Sequence, residues 1–289
     1  FEAHLNSILG LRYPNVQYVV AAGGADGTFE LARRFEGLTV TAIEQRPGEG
    51  KQAALRRALP HATGHIIFLT DADSVVDDAS FEATIRPIIE GNAQVVTGDG
   101  IPLAEQSHSP IAALRWAADA YAAAHMPSTV GGIFGANCAL IRQALARAGD
   151  LQADIASGTD YHLAKSLAAA GISIVHEHSS LVRTRYAASP GDYIKRQRRW
   201  LRNLVLHGLR FGERAEVRAS LTTSMVGLAM LLVPLLGALS LALSRRGRRN
   251  TDVALSHRSS TISLSRGGRG QGRGPSPYTP SPLAPLALA

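Results

Sequence analysis

Short apolar runs separated by turn residues and by stretches of helical period fill most of the first 189 positions. Glu2, Leu5, Ile8 and Leu9 sit at helical spacing, so the chain opens inside a helix. An opening of that kind is expected of a fragment whose first strand precedes Phe1. Val16 to Ala22 reads as a strand, followed by a Gly-rich turn and a helix to Phe35 that Asp26 or Thr28 can cap. Leu38 to Ile43 is a further strand, Pro47 to Gly50 a loop and Lys51 to Leu59 a helix. Ile66 to Thr70 is uncharged and apolar or β-branched, the pattern of a strand buried on both faces. Asp78 to Glu90, Pro110 to His125 and Asp160 to Gly171 read as helices. Gln94 to Thr97, Cys138 to Ile141 and Ile172 to Val175 read as strands. Strands alternating with helices predict an α/β fold, a mostly parallel sheet with helices on both faces.

The pattern changes after residue 189. Asp192 to Arg210 interleaves Lys and Arg with Ile194, Trp200, Leu201, Leu204 and Leu206. By itself this fits either a solvated helix or one lying on a membrane surface. Ala219 to Ser244 follows, 26 residues without a charge. About 20 apolar residues cross a bilayer as a helix, and Pro234 would kink it without forbidding it. That neighbour favours the membrane-surface reading of the preceding helix. From Arg245 the chain is Arg, Gly, Ser and Pro without period, expected to be disordered, whether as a native basic tail or as a sequence artefact. The expected organisation is a catalytic α/β domain over 1–189, interfacial amphipathic helices over 190–218, a transmembrane helix over 219–244 and a tail over 245–289.

Charge narrows the partners. The net charge is +7, from 30 Lys and Arg against 23 Asp and Glu. Eight Arg but only Asp252 among the acids follow Ser244, so the first 244 residues balance at 22 of each sign. The basic excess belongs to the tail, and no nucleic-acid channel is expected in the α/β part. The single cysteine, Cys138, excludes a disulfide framework and sits in an apolar run, where a buried structural thiol is expected.

Three groupings carry candidate chemistry. Asp71-Ala72-Asp73 ends the Ile66 strand. In an extended segment the spacing would point both carboxylates one way, toward a cation and a phosphate-bearing ligand. A solvated acidic turn is the alternative. Gly131 to Asn137 is glycine-rich but lacks the Gly-Lys-Ser/Thr ending of a phosphate loop, so a tight turn beside a ligand is expected. His176 and His178 share a face if their strand continues; without a third ligand nearby in sequence they read as ordinary strand histidines.

Taken in order, these segments resemble a family 2 glycosyltransferase with the GT-A fold. The likeness is to the membrane-integrated, processive branch that includes cellulose, hyaluronan and poly-N-acetylglucosamine synthases, and it covers roughly Glu2 to Leu243. Tyr18 to Thr28 resembles the first nucleotide-binding strand and turn, with Ala21 and Ala22 where that family carries acids. Gly50-Lys51-x-x-Ala54-Leu55 resembles its Gly-Lys-x-x-Ala-Leu segment, with Arg56 for the usual Asn. Asp71-Ala72-Asp73 resembles its DxD, and Gly158-Thr159-Asp160 its Thr-Glu-Asp motif. Arg196-Gln197-Arg198-Arg199-Trp200 fits the [Gln/Arg]-x-x-Arg-Trp pattern, and Gly132 to Asn137 resembles the acceptor-side loop.

The resemblance implies inverting transfer of a sugar from a nucleoside-diphosphate sugar, a UDP-sugar first, to a growing glycan or lipid-linked acceptor at the membrane. It implies Asp160 as catalytic base, with Lys51, Asp71, Arg196 and Arg199 on the donor. Asp73, with Asp71, would hold Mg²⁺ or Mn²⁺, and Trp200, Gly135 and Asn137 would face the acceptor. It places the protein in the cell (inner) membrane with its catalytic domain in the cytoplasm, where nucleotide sugars are made. Three other readings stand beside it. One is transfer of a single sugar to a lipid carrier. Another is a catalytically silent membrane-anchored binding or assembly protein. The third, a nucleotidyltransferase, gives no reason for the basic aromatic helix.

Overall fold

In the computed structural model, the described residues are 1–226, except 24, 25 and 38, together with 240. The chain divides into two units, Phe1–Thr222 and Thr223–Ala289. Of the second unit only residues 223–226 and 240 are described, all helical. The apolar run 219–244 and the tail 245–289 therefore lie largely outside the described residues. Among the described residues no helix is long and apolar enough to cross a membrane.

The elements of the first unit follow the expected sequence closely. They are α1 (Glu2–Leu9), β1 (Tyr18–Ala22), α2 (Thr28–Arg33), β2 (Val40–Glu44), α3 (Gly50–Ala58), β3 (Ile66–Leu69), β4 (Ser74–Val75) and α4 (Asp78–Ile89). Then come β5 (Val95–Pro102), α5 (Pro110–Ala124), β6 (Thr129–Val130), β7 (Cys138–Ile141), α6 (Arg142–Arg147), α7 (Thr159–Ala169), β8 (Ile174–Thr184) and α8 (Pro190–Arg210). Some of the helix starts carry side-chain caps. Asp77 accepts from the Ser80 amide in a capping box, and Ser189 accepts from the Asp192 amide behind Pro190.

The sheet is mixed, which corrects the expectation of a mostly parallel one. β1 and β2 form a parallel pair, and the larger sheet runs β3-β7-β5-β8-β4, with β6 also on β8. Among the described pairings there, only that of β5 with β8 is parallel; β7 lies antiparallel to both β3 and β5. The cause is the connection. The connection from β5 carries α5 and the short β6, and the chain has already reversed by β6, which lies antiparallel to β8 as β7 does to β5.

β7 is the centre of the core. Cys138, Ala139 and Leu140 are wholly inaccessible because both faces are covered. On one face Cys138 and Leu140 join Val95, Leu145, Leu163, Leu167 and Ile174 beneath α6 and α7. On the other Ala139 joins Val96, Val182, Leu5, Ile8, Phe81 and Ile85 beneath α1 and α4. Two-sided burial is why the segment reads as a continuous apolar run instead of an alternating one.

The ladder between β5 and β8 breaks once. β5 advances from Thr97 to Asp99 while β8 runs from His176 to Leu181, so residues 177–180 leave the ladder, with His178 and Ser179 exposed and Ser180 turned into the core. Asn137 fills the gap. Its amide donates to the Ser180 carbonyl and hydroxyl at 3.2 and 2.9 Å, and its oxygen accepts from Thr84 at 2.9 Å.

His4 is buried against the end of the same sheet, its Nδ1 2.8 Å from the Ser74 carbonyl. Burial holds its pKa below 6.5, outweighing the Ser74 hydrogen bond and the charges of Asp71 and Asp73, which act upward. His162 is lowered as well, first by burial. The unfolded chain therefore takes up protons before the folded one does. Stability is full above the unfolded value of about 6.5 and falls as pH drops toward the depressed folded values. Unfolding temperature measured between pH 8 and pH 5 should show this decline, and His4→Gln should flatten it.

Candidate active site

The site gathers where β3 ends, where α3 begins and where α7 begins. After Leu69 the chain turns: the Ser74 amide donates to the Asp71 carbonyl at 3.0 Å, and residues 72 and 73 form the turn. The extended geometry expected for Asp71 and Asp73 is therefore replaced by a tight one. Asp71 is half-buried and Asp73 exposed at the tip, and the Thr70 hydroxyl behind them is buried without a hydrogen-bond partner among the described residues.

Lys51, at the second position of α3, forms an ion pair with Asp71. Burial lowers the lysine's pKa, but Asp71, then Asp160 and Asp73, outweigh it, and the net direction is upward. One ammonium thus lies in the field of all three aspartates. The backbone explains how Asp160 comes so close. Gln52 donates to the Leu151 carbonyl at 3.0 Å and Arg56 to that of Gln152 at 3.3 Å. These bonds dock α3 on the loop that leads into α7.

Gly158 caps α7 at φ 80° and ψ 38°, in the left-handed region that glycine enters without a Cβ penalty. Asp160 then falls in the first turn of α7, where a helix dipole favours a carboxylate. Its side chain lies against Gly135; a Cβ there would come within 3.2 Å of the carboxyl group. Burial, and after it the Asp160 charge, pushes the Cys138 thiol up to about 12, so it is no nucleophile.

A Cβ at Gly158 would sit 2.8 Å from Nε2 of His207 and 3.0 Å from Asn203, besides holding an unfavourable φ. Gly158→Ala is therefore expected to cost about 1–3 kcal/mol. The drop in urea midpoint measures it, and an unchanged midpoint would mean that the loop relaxes freely.

α8 closes over the same loop. Asn203 accepts from the Ser157 hydroxyl at 2.7 Å, and His207 Nε2 lies 2.8 Å from the Ser157 carbonyl. Arg199 is one helical turn before Asn203 on that face, and it is exposed. Arg196 is tied to Asp192 at 3.2 Å and to the Arg185 carbonyl at 3.0 Å. Trp200 is 43% exposed, with the Arg115 guanidinium 5.3 Å from the centre of its ring. Arg115 is itself held by Asp119 at 2.9 Å, an i,i+4 pair on α5 that sequence inspection passed over. Asn137 is placed differently from the expectation. It is wholly buried with its amide committed to Ser180 and Thr84, so it shapes the loop and offers nothing to an acceptor.

A divalent ion fits the turn by its chemistry. Two carboxylates are the hard oxygen donors that Mg²⁺ and Mn²⁺ take, and Asp73 faces solvent. Asp71, held by Lys51, is the less available of the two.

A mixed sheet with a carboxylate turn at one strand end and a carboxylate-bearing helix start beside it defines an α/β fold of the GT-A kind. The sequence model described as glycosyltransferase-like family 2 matches residues 2–203, and the chain belongs to that family. Among curated proteins none matches the sequence. Among solved structures, the mannosyltransferase PcManGT from Pyrobaculum calidifontis, in complex with GDP-Man and Mn²⁺, is similar over 72% of this chain. Identity is 23% and the TM-score 0.54, and the match spans only 59% of that protein's chain. Glucosyl-3-phosphoglycerate synthase from Mycobacterium tuberculosis, with Mn²⁺, UDP-glucose and phosphoglyceric acid, matches over 65% of this chain and 68% of its own. There the identity is 19% and the TM-score 0.40.

Proposed function

We propose that the chain transfers a sugar, with inversion, from a nucleoside-diphosphate sugar to a hydroxyl of a growing glycan at the membrane. The observation that carries this reading is the Lys51 ammonium. It pairs with Asp71 and lies in the field of Asp73 and Asp160, which supports a shared site for the donor-side and acceptor-side carboxylates.

Asp160 accepts the proton of the acceptor hydroxyl as its oxygen bonds to the anomeric carbon; the bond from that carbon to the diphosphate breaks on the opposite face. Lys51 and Arg199 meet the charge that gathers on the departing diphosphate. Asp73, with Asp71, is the place for Mg²⁺ or Mn²⁺, which when bound neutralises diphosphate charge. Arg196, fixed by Asp192, shapes the donor side of α8. Trp200 offers the acceptor sugar an apolar ring face, and Gly135 lets the acceptor approach Asp160 closely because it has no side chain. Exposed Ile194, Leu206 and Leu209 on the basic α8 suit a helix resting on a lipid surface. Together with cytosolic donors, such a helix favours a catalytic domain on the cytoplasmic face of the cell membrane.

The test is a panel of UDP- and GDP-sugars offered, with Mn²⁺ or Mg²⁺, to membranes that contain the whole protein. Release of nucleoside diphosphate with one donor, together with product longer than one sugar, is expected. Product one sugar long would identify transfer to a lipid carrier. No release with any donor would favour a silent binding protein, a reading that Ala21 and Ala22 at the end of β1 also suit.

A further inference from the structure

The third ligand that the sequence did not offer to His176 and His178 is supplied by the fold. Asp99 on β5 and the two histidines on β8 each present one ligand atom, and the three atoms lie within 4.8 Å of one another. His176 Nε2 is 3.0 Å from Asp99 Oδ2, and the two imidazoles meet edge to face with centroids 4.3 Å apart. None of the three belongs to the donor turn at residues 70–74, and Asp99 instead lies in the field of Asp119 and Tyr186.

We propose that Asp99, His176 and His178 form a second metal site, for zinc or a similar late first-row divalent ion. Two imidazoles with one carboxylate are a borderline donor set. Zinc, cobalt(II) and nickel(II) take such sets, whereas Mg²⁺ and Ca²⁺ prefer all-oxygen shells. Bonds of about 2.0–2.1 Å to a tetrahedral ion place ligand atoms about 3.4 Å apart. Asp99 and His176 are already near that spacing, and the exposed His178 closes the remainder by a rotamer change.

A second observation points the same way. His176 is 6% exposed, and its Nδ1 is buried with no hydrogen-bond partner among the described residues. Buried polar atoms are rarely left so; the ligand spacing above is that of Nε2, so the bare Nδ1 marks a buried imidazole whose hydrogen bonding is incomplete, not the coordinating atom itself. The bulge makes the arrangement. By releasing residues 177–180 from the ladder it brings His178 back beside His176. Glu177 is kept out of the cluster, because Ser179 donates to its carboxylate from both amide and hydroxyl, at 3.0 and 2.6 Å. Bound metal would tie β5 to β8 across the point where their pairing fails.

The test uses the whole protein without a polyhistidine tag, stripped of metal by a chelator. Zinc is titrated against a chromophoric competitor, and cobalt(II) is followed by its visible absorption. The expected result is one zinc site retained in Asp73→Ala and weakened by about tenfold or more in both His178→Ala and Asp99→Asn. Zinc should also raise the unfolding temperature of the parent but not of His178→Ala. His178 is exposed, so that variant should keep the parent's metal-free circular dichroism and unfolding temperature; Asp99→Asn, which preserves shape, is the second check. Three outcomes would overturn the site: no zinc uptake at about 100 μM, where a three-ligand site should be filled; binding unchanged in His178→Ala; or binding lost only in Asp73→Ala, which would assign the ion to the donor turn.

Discussion

Asp160→Asn is expected to slow sugar transfer by about 10²–10⁴-fold, the usual contribution of a positioned acid or base. At 1.36 kcal/mol per decade this is roughly 3–5 kcal/mol of lost transition-state stabilisation. Donor affinity should stay nearly intact. Asparagine keeps the size of the side chain against Gly135 and its place at the start of α7, but it cannot take up the acceptor's proton. The measurement separates turnover, from nucleoside diphosphate release at saturating donor, from affinity by calorimetry. Transfer at the parental rate would remove Asp160 from the mechanism. Equal losses in turnover and donor binding would mark it as a residue that holds the cleft together.

The second large effect is expected at the tip of the turn. Asp73→Ala should abolish the gain in donor affinity that Mn²⁺ confers, a loss on the order of 10²-fold, within the several kcal/mol that a metal contributes at phosphoryl oxygens. Asp73 is the sensitive position because Asp71 is engaged by Lys51 and Asp73 faces solvent. The side chain is exposed, so the variant should unfold at the parental temperature. Calorimetry with and without Mn²⁺ decides the matter, and identical donor binding in parent and variant would place the ion elsewhere.

Much of the fold could be read from local pattern, because most elements announce themselves over a few residues. Cys138–Ile141 is a strand within the bounds its apolar run suggests, and Asp78–Ile89 a helix with its cap in place. Direction and length were harder. Nothing within Cys138–Ile141 shows that it runs against its neighbours, since that depends on the path of the loop before it. β8 reaches Thr184, well past Val175, because its bulge falls in a polar His-Glu-His-Ser-Ser stretch that gives no apolar alternation to read. α6 is too short to show a period.

The site divides in the same way. Lys51, Asp71, Asp73 and Asp160 stand out in sequence by motif, and the structure brings them together. Asn137 stood out too, yet its amide is used inside the protein, which only the positions of Thr84 and Ser180 disclose. Asp99 carries no motif and becomes legible only when β5 and β8 lie side by side.

The short pairing of Ser74 with Thr184 and of Val75 with Arg183 has a consequence for biosynthesis. The acidic turn is fixed on its far side by a strand made more than a hundred residues later. A nascent chain leaving the ribosome therefore holds its first half in an unfinished state until Thr184 has emerged, and contacts so distant in sequence close slowly. A stop codon anywhere upstream of that point should yield material for proteases rather than a smaller working domain.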